Sequence, residues 1–189
     1  DWQERQTLLT FDGVNSAFYL WINGQKVGYS EGSRTPAQFD ISRYLKEGDN
    51  QMAVEVYRWC NGSYFEDQDF WRLAGIFRDV YLWSRDSASI RDFHVQTNLD
   101  DAYRDAVLSV DVELAGASEG NLVEIKLLDA TGKQVLKKTV TSSQASVTVP
   151  VSNPRKWTAE SPYLYQLLLT HKNAQGQVVE VVPWSIGFR

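Results

Sequence analysis

Cysteine is almost missing from this chain: 189 residues contain only Cys60, so no internal disulfide can form and the fold must rest on packing. On its residue type alone Cys60 reads as a small buried hydrophobe. Histidine is nearly as scarce, with only His94 and His171. Both fall in strand patterns, where a structural or surface residue is expected, not a catalytic base. No G-x-S-x-G elbow is present, so a serine hydrolase is not suggested. No His/Cys cluster has zinc spacing, and no glycine-rich phosphate loop occurs. Positive charge is thin, at 19 Lys and Arg against 24 Asp and Glu, for a net charge of -5. No basic run offers itself to nucleic acid. Long apolar runs are also lacking. The longest, "AFYLWI" at 17–22, is far short of a membrane span, and no signal-peptide pattern stands at the start. Sustained 3.6-residue periodicity is missing too, which argues against a substantial helix, and without βαβ alternation a parallel sheet or barrel is not expected.

What is present is aromatic and strand-like. Hydrophobic residues make up 43% of the chain and charged residues 23%, values of an ordinary globular protein. Seven Trp, nine Tyr and eight Phe suit β-sandwich cores, and also flat surfaces on which sugar rings stack. Strand signals lie at 7–12, 17–22, 25–30, 50–59 and 77–83. Asn23-Gly24 between the second and third predicts a type I′ hairpin, because both residues tolerate positive φ. Asp40 is placed to cap a short helical turn at "ISRYL", with Gly48 ending it. The polar stretch "SRDSAS" at 84–89 marks a domain boundary. Beyond it, segments 90–98, 106–114, 121–129, 134–140, 145–151, 163–172 and 178–188 supply seven short strands with regularly spaced turns, which predicts an antiparallel sandwich. The first residue is not Met, and "DWQERQTLLTFDG" runs straight into a strand pattern; a piece of a longer protein is expected.

The most unusual stretch is "NGSYFEDQDFWRLAGIFRDV" at 61–80. Glu66, Asp67 and Asp69 crowd against Tyr64, Phe65, Phe70 and Trp71, although desolvating a carboxylate is costly. "DQD" begins like a calcium loop but lacks the later ligands and glycine of an EF-hand. Asn61-Gly62-Ser63 fits a glycosylation sequon, meaningful only in a secretory pathway. On the residues alone two readings stand side by side. One is an acidic surface loop with its aromatics in the core. The other is a site where carboxylates accept sugar hydroxyls or ligate hard cations such as Na⁺, Mg²⁺ or Ca²⁺ while rings cover apolar sugar faces. Arg72 and Arg78 could pair with the neighbouring acids and hold the loop.

The tracts "FDGVNSAFYLWINGQKVGYSEGSRTPAQFDIS" (11–42) and "RWCNGSYFEDQDFWRLAGIFRDVYL" (58–82) resemble the amino-terminal sugar-binding domain of glycoside hydrolase family 2, and within it the bacterial LacZ-type β-galactosidases. "IRDFHV" (90–95), "NPRKWTAESPYLYQL" (153–167) and "IGFR" (186–189) resemble the family's second domain. The resemblance covers essentially the whole chain. It implies an all-β fold: an incomplete jelly-roll sandwich over residues 1–86, the C-terminal portion of a galactose-binding-like domain, followed by an immunoglobulin-like β-sandwich over 87–189. It also implies that no catalytic residue lies in this chain. Both catalytic glutamates would sit in an absent barrel of a parent that hydrolyses terminal β-D-galactosides such as lactose with retention. The parent would use Na⁺ and Mg²⁺, neither held stably by these residues alone. Its partner is the β-galactoside substrate, with no nucleic acid or membrane, and the parent is a homo-oligomer of the cytoplasm or, alternatively, the periplasm. By position Asp69 matches the family's aspartate that binds galactose hydroxyls and helps ligate Na⁺. Glu66 and Asp67 are read as loop-shaping acids, and Phe70 and Trp71 as core anchors of the loop. Two alternatives stay open: a free-standing carbohydrate-binding module, and a family β-glucuronidase or β-mannosidase. A sandwich lacking its front strands is expected to expose edges and an apolar face, and so to dimerise or be partly disordered, leaving the second domain the more stable half.

Overall fold

The structure is a computed structural model that describes residues 2, 4–65, 69, 71–116, 119–141 and 144–189. The chain divides into two compact units, Asp1–Asp86 and Ser87–Arg189.

The first unit contains β1 (Gln6–Phe11), β2 (Val14–Asn15), β3 (Ala17–Ile22), β4 (Gln25–Ser30), β5 (Ala37–Asp40), β6 (Met52–Tyr57), a single helical turn α1 (Gly62–Phe65), β7 (Gly75–Ile76) and β8 (Val80–Arg85). Two three-stranded antiparallel sheets, β5-β1-β8 and β4-β3-β6, enclose the core, and β2 pairs with β7 as a short ribbon. Leu9, Phe11, Phe18, Leu20 and Ile22 meet between the sheets and are buried. Phe11 packs on Phe18 at 4.8 Å between ring centroids and edge-on against Phe39 at 6.4 Å, arrangements that aromatic quadrupoles favour. A groove of about 360 Å³ on this unit is lined by apolar side chains, among them Leu9, Ile22, Ile41, Met52, Val80 and Leu82.

The hairpin joining β3 and β4 forms as Asn23-Gly24 predicts, with φ of 51° and 77°, the two positive values a type I′ turn requires. Asn23 does more than turn the chain. Its Nδ2 donates to the Tyr44 carbonyl and to Asn50 Oδ1, and its Oδ1 accepts the Gln51 N–H. The helical turn after Asp40 is shorter than the sequence predicts: a 3₁₀ turn spans only Ser42–Tyr44. Asp40 Oδ1 accepts from the Ser42 N–H at 3.0 Å and from the Ser42 hydroxyl at 2.6 Å. Gly48 does not end that turn. It lies in the loop that Asn50 closes by donating to the Lys46 and Gly48 carbonyls. Burial pushes the Asp40 carboxyl up, but hydrogen bonds from Gln6 and Ser42 outweigh it and hold the group below its ordinary value.

The second unit contains β9 (Ser89–Leu99), β10 (Ala106–Ala115), β11 (Leu122–Leu128), β12 (Gln134–Val140), β13 (Gln144–Val151), β14 (Tyr165–Lys172) and β15 (Val178–Ile186). They form two antiparallel sheets, β13-β10-β9 and β12-β11-β14-β15. This is a sandwich of the immunoglobulin-like kind, built without an inter-sheet disulfide. Strict alternation sets the inner faces. Ala106, Leu108, Val110, Val112 and Leu114 point inward from β10, and Tyr165, Leu167, Leu169 and His171 from β14. His171 thus occupies the last core position of its strand. It is fully buried, with Nδ1 3.9 Å from Glu180 Oε1, and Glu180 also accepts the backbone N–H of Ile90.

The other face of the four-stranded sheet carries a nearly buried carboxylate. Glu124 lies 2.7 Å from Lys126 Nζ, 2.7 Å from Lys137 Nζ and 3.3 Å from Lys172 Nζ. Hydrogen bonds from Lys126 and then Lys137 hold its carboxyl at about 2. A depressed carboxyl pKa contributes stability above the unfolded value that is lost as pH falls through the folded one. We therefore expect Glu124→Gln, which strands three ammonium groups around an amide, to cost roughly 2 kcal/mol at neutral pH, a figure reduced for the solvent around the lysines. In urea titrations the gap between variant and wild type should close as pH falls from the ordinary carboxyl value toward about 2. A gap that stays constant with pH would exclude this electrostatic origin.

Candidate functional site

The candidate site is the segment between β6 and β8 that carries Asp69. Asp69 is exposed. Glu66, Asp67 and Phe70, which the sequence reading treats as loop-shaping acids and a core anchor, lie outside the described residues. Trp71 does not anchor the loop in the core: it is 84% exposed, and Phe65 is 88% exposed. Tyr64 and Leu73 are exposed too. Tyr64, Phe65, Trp71 and Leu73 thus face outward, and they contribute little burial within this chain.

Polar contacts among the described residues tie down the base of the loop. On the outgoing limb, the Ser16 hydroxyl donates to the Arg58 carbonyl at 2.8 Å and lies 3.0 Å from Asn15 Oδ1. The Ser63 hydroxyl reaches Ser16 Oγ at 3.4 Å and accepts the Cys60 N–H at 3.1 Å. On the returning limb, Asn15 Nδ2 donates to the Leu73 carbonyl, and the β2–β7 ribbon sets Asn15 opposite Gly75 and Val14 opposite Ile76. Gly75 has φ of 133°, a conformation open in practice only to glycine. Cys60, read from the sequence as buried, is half-buried and free. Arg78 takes backbone partners, donating to the carbonyls of Asp12 at 3.4 Å and Arg34 at 3.2 Å. It braces the chain just beyond the loop.

His94 and His171 are far apart in role. His94 is exposed, 3.8 Å from Asp111 Oδ2, and His171 is a core residue of the second unit. Among the described residues no three His, Cys, Asp or Glu side chains are grouped to hold a metal ion, and no helix is long and apolar enough to cross a membrane. Asp69 by itself can supply one carboxylate, an oxygen donor suited to sugar hydroxyls or to a hard cation. Sequence reasoning did not single out Asn15 and Ser16. The signal available was only their presence in "FDGVNSAF".

The fold is that of the β-domains of solved glycosidases. The chain superposes along its full length on a β-glucuronidase of Bacteroides uniformis with a TM-score of 0.84 at 23% identity, covering 25% of that chain. It matches the apo β-glucuronidase of Ruminococcus gnavus with a TM-score of 0.82 at 25% identity, covering 34% of that chain. Family models are more specific. Residues 1–86 match "Glycosyl hydrolases family 2, sugar binding domain" and residues 88–189 match "Glycosyl hydrolases family 2", so the chain belongs to glycosyl hydrolase family 2. Among curated relatives it is 46% identical over its whole length to a β-galactosidase of Priestia megaterium, and 45% identical over 99% of its length to one of Enterobacter cloacae. It spans 19% of the length of each.

Proposed function

We propose that this chain supplies the non-catalytic β-domains of a β-galactosidase that hydrolyses terminal non-reducing β-D-galactosides with retention. The observation that carries the reading is identity of 42–46% to proteins named β-galactosidase over nearly the entire chain. The β-glucuronidase neighbours bear on fold alone, at 23–25% identity. In this reading the acid/base and nucleophile carboxylates, about 5–5.5 Å apart in a retaining enzyme, belong to polypeptide outside these two units. Asp69 contributes from its exposed loop. Its two carboxylate oxygens accept galactose hydroxyls, and it serves as one ligand of a Na⁺ ion whose remaining donors come from the substrate and the catalytic domain. Mg²⁺ belongs to the catalytic domain. The parent is a cytoplasmic homo-oligomer.

The test is substrate choice by the full-length protein. A nitrophenyl β-galactoside should be turned over far faster than the matching glucuronide or mannoside, and the first-formed sugar should be the β-anomer. Preference for the glucuronide, or an inverted product, would overturn the reading.

A further inference from the structure

We propose that Asn15 and Ser16 are positioning residues for the Asp69 carboxylate, an inference that rests on the reading of Asp69 as a galactoside ligand. These adjacent residues hold the two ends of one loop. Ser16 fixes the outgoing limb through the Arg58 carbonyl at 2.8 Å and the Ser63 hydroxyl at 3.4 Å. Asn15 fixes the returning limb through the Leu73 carbonyl and its pairing with Gly75. The Ser16 hydroxyl and Asn15 Oδ1 lie 3.0 Å apart, so the two anchors are also coupled to each other.

Apolar packing is sparse among the described residues between these anchors. Tyr64, Phe65, Trp71 and Leu73 are all exposed, so burial of these four side chains does not set where Asp69 stands. Ser16 itself is buried, and its backbone N–H is tied to the Tyr57 carbonyl at 2.9 Å while its carbonyl accepts from the Ser33 hydroxyl at 3.2 Å. The anchor is therefore part of the sandwich, and through it the core passes its rigidity to a solvent-exposed acid. A ligand carboxylate works only when held near its productive position, since a shift of about 1 Å can cost about a hundredfold in rate.

The experiment uses the full-length protein and four variants: Asn15→Asp, Ser16→Ala, Asp69→Asn, and the double variant Asn15→Asp with Asp69→Asn. Asn15→Asp keeps size and an acceptor toward Ser16 but removes the donor to Leu73. It should lower kcat/KM for a nitrophenyl β-galactoside about tenfold and raise the NaCl concentration needed for half-activation, with the melting temperature falling only a few degrees. Ser16→Ala should act in the same direction, and it decides the matter if Asn15→Asp does not fold. In the Asp69→Asn background, Asn15→Asp should add less than about a twofold further loss, because groups acting through one another are not additive. Wild-type kinetics in both anchor variants beside a strong Asp69→Asn defect would overturn the positioning role while leaving the proposed function standing. An undiminished Asn15→Asp loss in the double variant would overturn it as well. Wild-type kinetics in Asp69→Asn would remove the reading of Asp69 and this inference together.

Discussion

Asp69→Ala in the full-length protein is expected to lower kcat/KM for β-galactosides by about 10²- to 10⁴-fold and to flatten the response to Na⁺. The magnitude follows from what is removed. A hydrogen bond to a charged group is worth about 1.5–3 kcal/mol, and a carboxylate facing a pyranose can accept two hydroxyls, so about 3–6 kcal/mol of binding is at stake, with each 1.36 kcal/mol worth about tenfold. Asp69→Asn keeps one acceptor and loses the charge, so it should fall between wild type and Ala. The cation response separates this role from a loss of folding, since a loop carboxylate that ligates Na⁺ links sodium affinity to the same side chain that holds sugar. The structure supports such a surface-directed role in a specific way: Asp69 is exposed, and nothing around it among the described residues forms a core. Folding of the two units should be untouched by the change, because an exposed loop acid contributes little to either core. Turnover and sodium dependence that both match wild type in Asp69→Ala would refute the assignment.

Much of the architecture could be read from local pattern. Alternation in "AVLSVDVEL" and "YLYQLLLTHK" places β10 and β14, because a half-buried strand repeats every two residues and apolar side chains fill every inner position except that of His171. His171 reads from the sequence as a structural or surface residue; in the fold it takes a core position of β14, and only the register with β15 brings Glu180 opposite it. The hairpin at Asn23-Gly24 was equally local, since two positive φ values are a property of two residues. The helical turn after Asp40 is shorter than its local signal predicts. Asp40 bonds Gln6 as well as Ser42, a pairing 34 positions apart, and the chain leaves the helical path at Leu45 with ψ of 150°.

The loop was the least legible part, for two physical reasons. A tryptophan beside a phenylalanine resembles core sequence, and apolar composition gives no sign of which way a ring points when no strand or helix period governs it; Trp71 points outward. The anchors at its base join residues 58, 47 and 42 positions apart, and no window along the chain contains both partners. Arg78 follows the same logic, donating to the backbone carbonyls of Asp12 and Arg34, far from it in sequence. Glu124 likewise gathers lysines from β11, β12 and β14, a cluster set by register between strands.

Phe11→Ala is expected to unfold the first unit near room temperature while leaving the second folded. Phe11 is fully buried, and its ring is shared between Phe18 and Phe39, so one side chain couples β1, β3 and β5. Truncating a buried phenylalanine costs about 3–5 kcal/mol in lost transfer energy and cavity, a large part of the 5–15 kcal/mol that holds an ordinary domain. The surrounding core is small, with eight buried apolar members among the described residues against fifteen in the second unit, so little can collapse into the space. The two clusters have no residue in common. Near-ultraviolet circular dichroism and amide exchange on the 189-residue chain should then show early loss of protection in β1, β3 and β5, with β10, β11 and β14 still protected. Leu167→Ala, at a fully buried position of β14, should give the reverse pattern at a cost of about 2–5 kcal/mol. If either substitution melted both units in one transition, the stability of each sandwich would depend on the other, and the independence inferred from the two separate cores would be wrong.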